Sequence, residues 1–251
     1  MAWVWFHRFG SPPYFYRLAG RLTPWFAWPA VLLGLAGLLG ALVLAPADYQ
    51  QGEGYRILYV HAPAAWLSLL VYMVMASSAA VGLVWRMPVA YALAASCATM
   101  GASFTALALV TGMIYGRPMW GTYWEWDPRL TSELLLLFLY LGYIGLRNAI
   151  DDPGRADRAS AVLAIVGAID VPIIHFSVIW WNSLHQAASV MRFGKPTMAT
   201  AMLIPLLLML AAFTACFVAL LLMRARGELL RRERTARWVA EALAPTSAAQ
   251  G

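Results

Sequence analysis

The chain is 251 residues long, 62% hydrophobic and only 12% charged, about half the roughly 25% charged residues usual in soluble domains. That composition excludes an ordinary water-soluble domain and specifies an integral membrane protein. The formal net charge of +6 needs no nucleic acid, because anionic lipid and the positive-inside bias account for basic residues at an inner membrane surface.

Six apolar runs, near 25–45, 64–85, 91–113, 130–147, 160–180 and 199–223, approach or exceed the roughly 20 residues that cross a hydrocarbon core of about 30 Å. Each is apolar throughout, without the alternation of barrel strands. The predicted fold class is therefore an all-α integral membrane protein, a bundle of six transmembrane helices forming one domain over 1–251. The first run is too long for a cleavable signal and is followed by further spans.

With the N-terminus inside, thirteen of the eighteen Lys and Arg residues fall on inner segments, so both N and C termini are expected to be cytoplasmic. The inner N-terminal segment is then 1–24 and the inner basic C-terminal tail 224–251. Within that tail, "RARGELLRRERTARWVAEAL" reads as an amphipathic helix lying on the inner leaflet.

The first outer segment, "PADYQQGEGYRILYVHAP", brings His61 to the outer mouth of span two, with Pro63 in the first helical turn, where a missing N–H has no partner to lose. Span three contains Cys97 and span six Cys216. Neither belongs to a Cys-x-x-Cys pair, so no disulfide, thiol redox site or covalent haem attachment is implied.

The second outer segment, 115–129, holds "WGTYWEWDPR". Asp127 and Pro128 stand in the order of an N-cap and first helical residue, so Asp127 should begin span four. Tryptophan suits both membrane interfaces, and Trp25, Trp28 and Trp85 need no other role. Three indoles within seven residues exceed what anchoring one helix requires. If this segment is helical, Trp120 and Trp124 share a face while Trp126 points elsewhere. Glu133, one turn into span four, either caps that helix start or faces an outer vestibule.

Span five contains "AIDVPIIHFS", with Asp170 near mid-membrane, His175 about one turn further out and Pro172 expected to kink the helix. Ionisable residues at such depth mark either a polar pathway or a buried pair that fixes packing. The third outer segment, "WWNSLHQAASVMRFGKPT", adds His185 on the same side as His61. Lys195, the only lysine, has no upstream Walker glycine pattern, so any ATP use belongs to another subunit.

Two histidines flanking an aromatic loop point to paired ligation of a metal centre. Zinc usually requires three or four His, Cys or carboxylate ligands, and the outer face offers two histidines with few clustered acids. Haem needs only one or two axial ligands. Its flat apolar disc suits aromatic faces, and its propionates call for cations such as Arg56, Arg117 or Arg129, which otherwise read as solvated loop charges.

These residues carry a resemblance. "WGTYWEWD" resembles the tryptophan-rich signature (the WWD motif) of the haem-handling protein superfamily, and "LYVHAPAAW" and "VPIIHFSVIWWNSLHQ" resemble its flanking histidine segments. Six spans and this length match the family of the haem exporter protein C, CcmC, of cytochrome c maturation system I, from about Gly54 to the end of span six. The resemblance implies that His61 and His185 are axial ligands of a non-covalent haem b. It also implies that Trp120, Trp124, Trp126 and Asp127 form the loop that holds haem for a partner. The family's role is to present haem to the periplasmic chaperone CcmE, within an ABC transporter complex of CcmA, CcmB and CcmD, in the bacterial inner membrane. It is not an enzymatic role. The basic tail after Arg224 runs longer than this resemblance requires. Two other classes of function stay open: a proton-coupled or small-molecule transporter using Asp170 and His175, and a structural subunit that docks ABC partners through its inner face.

Overall fold

A computed structural model describes residues 7–181, 183–185 and 198–244. Among these residues the protein is all-α, and six helical stretches are long and apolar enough to cross a membrane. Helix α1, Pro12–Leu39, opens on two prolines and runs into a π-helical turn at Gly40–Leu44. A 3-10 turn at Glu53–Ile57 leads into α2, Leu58–Trp85. Next come α3, Pro88–Trp120, and α4, Pro128–Ala149. Span five is divided into α5, Pro153–Gly167, and α6, Asp170–Trp180. Helix α7, Thr200–Arg232, is the last span, and the short α8, Arg237–Leu243, comes after it.

The division of span five has a local cause. Pro172 has no N–H to donate to the Ala168 carbonyl, and its ring crowds that carbonyl. The chain there tightens into i→i−3 bonds, Ala168 N–H to Ile165 O at 3.2 Å and Val171 N–H to Ala168 O at 3.3 Å. The predicted kink is thus a break at Ala168 and Ile169, one turn before the proline.

Packing inverts the soluble pattern. Large apolar side chains such as Trp25, Trp28 and Leu35 lie on the outside of α1, while small residues let backbones approach. A β-carbon on Gly37 or Gly40 would sit 2.9 Å from Met209 Sδ or Pro205 Cγ, so these glycines allow α1 to pack closely along α7. The centre of the bundle is built from α2, α3, α4 and α5, joined by Ile174 of α6 and by Phe217 and Leu221 of α7. There Tyr72 and Tyr140 pack edge to face at 4.9 Å, and the Tyr140 hydroxyl donates to Ser68 O at 2.8 Å.

Several spans outrun their predicted bounds, chiefly at the arginine-bearing end. A 33-residue helix such as α7 is about 50 Å long, against a hydrocarbon core of about 30 Å. Residues 224–232, predicted to lie on the membrane surface, instead continue α7. The reason is charge pairing: Arg231 and Arg232 bond Glu228 one turn earlier, and Arg232 also chelates Asp157 at 2.6 and 2.7 Å. Helix α8 turns back on the bundle, with the Trp238 ring 5.5 Å from Tyr16 and Val239 buried.

Candidate functional site

Asp127 organises the end of the molecule opposite the arginines. Its Oδ1 accepts the Leu130 N–H at 2.7 Å and caps α4, as the sequence order predicts. Its Oδ2 accepts the Ser183 hydroxyl at 2.7 Å, the Leu184 N–H at 3.2 Å and His185 Nδ1 at 3.4 Å. One carboxylate therefore starts a helix and fastens the stretch 183–185 beside it. Burial opposes its ionisation, but the bonds from Leu130 and Ser183 and the nearby His185 ring outweigh that and hold its carboxyl below the usual range.

His185 is neutral near pH 7. Burial lowers its proton affinity, the Asp127 charge pulls the other way, the Arg129 charge sides with burial, and the net direction is down. The contact with Asp127 is then a hydrogen bond from Nδ1–H to an acceptor, which leaves Nε2 with a free lone pair.

His61 reaches the same result from another element. It lies in the first turn of α2, with Nδ1 3.0 Å from Ala108 O and 3.1 Å from Thr111 Oγ1, both on α3. A carbonyl only accepts, so Nδ1 carries the proton and Nε2 is free. The ring has room because Gly112 faces it: a β-carbon there would lie 3.1 Å from His61 Cε1. Pro63, predicted for the first turn, is the sixth residue of α2, because the helix already begins at Leu58. His61 lies within electrostatic reach of the His185 ring and of the Arg129 guanidinium.

The tryptophans are arranged differently from the prediction. The chain leaves helix at Trp120, where Gly121 adopts φ +81°, so Trp120 and Trp124 do not share a helical face. Trp120 instead packs against the His185 ring at 5.0 Å, while Trp124 and Trp126 meet edge to face at 5.3 Å. Gly116 makes space for Trp120, since a β-carbon there would lie 3.0 Å from Trp120 Cε3. Trp126 is 74% exposed, and Trp124 Nε1 is a buried donor without a partner among the described residues. A hollow of about 490 Å³, lined by Trp120, Trp126, Asp127 and Leu184 among others, opens beside them. That size lies in the range of roughly 300–1,000 Å³ usual for ligand sites.

The predicted cations divide. Arg129 donates to Ile174 O at 2.8 Å, and its charge acts on both histidines. Arg56 is turned to α1, where it bonds Ala41 O, Ala45 O and Glu53, and Arg117 bonds Gly121 O beside Tyr123. The free carbonyls that end the π-helical turn outcompete solvent for Arg56. Glu133 neither caps α4 nor faces a vestibule: it is 5% exposed, and its carboxylate oxygens have no hydrogen-bond partner among the described residues. Asp170 is buried whereas His175 is exposed, so five residues along α6 put them on different faces.

Sequence reasoning missed Thr111, Gly112, Gly116 and Ser183. The Gly112-x-x-x-Gly116 spacing, a known sign of close helix packing, was the available signal for two of them. No group of three or more His, Cys, Asp or Glu suited to a bare metal ion occurs among the described residues. Two imidazoles with fixed Nδ1 and free Nε2 fit a centre that brings its other ligands with it, and hydrogen-bonded Nδ1 is the usual support of a ligating histidine.

Comparison with known proteins agrees in extent and composition. The family profile described as heme exporter protein C matches residues 5–240, so the match begins before Gly54 and takes in the basic stretch after Arg224, which is no departure from the family. The "Heme exporter protein C" of Bradyrhizobium diazoefficiens is 54% identical over 222 residues, 88% of this chain and 84% of its own length. Those of Haemophilus influenzae and Escherichia coli K12 are 47% identical over 97% of this chain and 45% over 95%, covering 99% and 96% of their own lengths. With six spans, the tryptophan loop and likeness along nearly its whole length, the chain belongs to the heme exporter protein C family.

Proposed function

We propose that the chain binds haem b at the outer surface of the bacterial inner membrane and hands it to CcmE during cytochrome c maturation. The carrying observation is the pair of imidazoles, from α2 and from the stretch 183–185, each with Nδ1 engaged and Nε2 without a hydrogen-bond partner among the described residues, beside the Trp120–His185 contact. His61 and His185 hold the iron, and Trp120, Trp124 and Trp126 cover porphyrin. Arg129 supplies positive charge for a propionate. Because one ligand sits on a long helix and the other on a short stretch tied to Asp127, a small displacement of 183–185 frees one coordination position without chemistry at this chain. ATP hydrolysis is the task of CcmA, in a complex with CcmB and CcmD. Both termini are cytoplasmic in this reading, and the histidines are periplasmic.

Absorption spectroscopy of the detergent-purified chain tests the reading. A low-spin, bis-imidazole spectrum is expected, and addition of haem-free CcmE should move the pigment to CcmE. A chain purified without pigment that also fails to take up added haem would overturn it.

Gly112→Val should displace His61 from Ala108 O and reduce haem content by about tenfold or more, on the scale of losing a ligand's supporting hydrogen bond. Gly145→Val, in open space, is the control and should retain haem. Equal haem content in the two variants would remove His61 from the site.

The transporter alternative draws little support from Asp170 and His175, which lie on different faces of α6. Asp170→Asn is accordingly expected to leave the haem spectrum and transfer to CcmE unchanged. Loss of transfer with the spectrum intact would favour a role for Asp170 beyond packing.

A further inference from the structure

At the arginine-bearing end, α3, α4 and α7 enclose a second cavity, of about 320 Å³, that the haem reading does not use. Its lining includes Ser96 and Thr99 of α3, Arg147 of α4, and Arg224, Glu228 and Arg231 of α7. Behind it, Arg232 is neutralised by Asp157 at 2.6 Å and shares Glu228. Arg147 bonds Glu228 and lies 3.5 Å from Asp157, and Arg231 bonds Glu228 at 2.9 Å. Four guanidinium groups thus face two carboxylates, leaving an excess of two positive charges. Arg224 has the weakest claim on either acid: it is exposed and donates to the Thr99 hydroxyl at 3.1 Å.

Depth and surroundings identify the ligand. Arg224 stands 24 residues after the start of α7 at Thr200, or about 36 Å along the helix, just past a core of about 30 Å. The cavity therefore lies at headgroup level. Toward the bilayer the lining faces continue into exposed apolar side chains, Leu220 one turn before Arg224 and Leu141 one turn before Ile144. A ligand that fits has a phosphate at the arginines and hydrocarbon along Leu141 and Leu220.

We propose that this cavity is a binding site for an anionic phospholipid. The phosphodiester takes the free donors of Arg224 and Arg231, and the acyl chains run down the groove between α4 and α7. Basic pockets between spans at the cytoplasmic side are suited to such headgroups.

Native mass spectrometry of the full chain, released from nanodiscs of mixed phosphatidylglycerol and phosphatidylethanolamine, tests the proposal. Retention of phosphatidylglycerol over phosphatidylethanolamine is expected. Arg224→Ala and Arg231→Ala should each weaken it by roughly fivefold, with the haem spectrum unchanged because the two sites lie at opposite ends. Equal retention of the two lipids, or undiminished phosphatidylglycerol in the double variant, would overturn the proposal. So would complete displacement by glycerol phosphate, which lacks acyl chains, or occupation of the cavity by an acidic segment of a partner subunit.

Discussion

His185→Ala is expected to abolish the bis-imidazole spectrum of the purified chain, and His61→Ala to do the same. Each variant retains one ligand, so a residual high-spin pigment should appear, and free imidazole should restore part of the low-spin spectrum by occupying the vacated position. Wild-type bands in both single variants would end the ligand assignment. Acidity provides an independent readout, because a ligating histidine must be neutral. Burial and Arg129 outweigh Asp127 and place the His185 proton affinity below the ordinary value, which is about 6.5. A lowered folded value means that the neutral form persists as pH falls through 6.5. Its contribution is lost only below that, through the lower folded value. Haem retention should therefore be flat from pH 8 to about 6.5 and decline in more acid solution.

Asp127→Ala is expected to weaken haem retention by about 10- to 100-fold, the usual cost of removing a ligand's hydrogen-bond partner. It should also destabilise α4 by about 1 kcal/mol through the lost cap. Asp127→Asn separates the two effects. Asparagine is a good N-cap whose single amide oxygen can still accept from Leu130, so α4 should keep its stability, while an NH2 group that only donates replaces the oxygen that served Ser183, Leu184 and His185. The expected order of haem retention is wild type, Asn, then Ala, checked by haem titration beside thermal unfolding. A lowered Tm with undiminished haem affinity in Asp127→Ala would reduce Asp127 to a helix cap.

The six apolar runs were legible because a bilayer demands them, and the start of α4 because Asp-Pro carries its own capping geometry. Span lengths were less so: Glu228 and Asp157 extend α7 by pairing with arginines that, taken alone, read as a surface tail. The indole arrangement was hidden because Gly121, at φ +81°, ends α3 and breaks the helical spacing on which the Trp120–Trp124 expectation rested. The partners of Arg56 were hidden for a similar reason, since the carbonyls it bonds come from a π-helical turn that sequence periodicity does not announce. Pro172 did signal a discontinuity, but whether Asp170 and His175 meet depends on rotation about α6, and there they diverge.

Asp127, Pro128 and Arg129 join three parts of the molecule in consecutive residues: Asp127 holds the 183–185 stretch, Pro128 begins α4, and Arg129 grips the Ile174 carbonyl of α6. One residue added anywhere between them would rotate the remainder of α4 by about 100°, so no single register of that helix would then satisfy both attachments. Length polymorphism among related chains should accordingly be absent from 127–129.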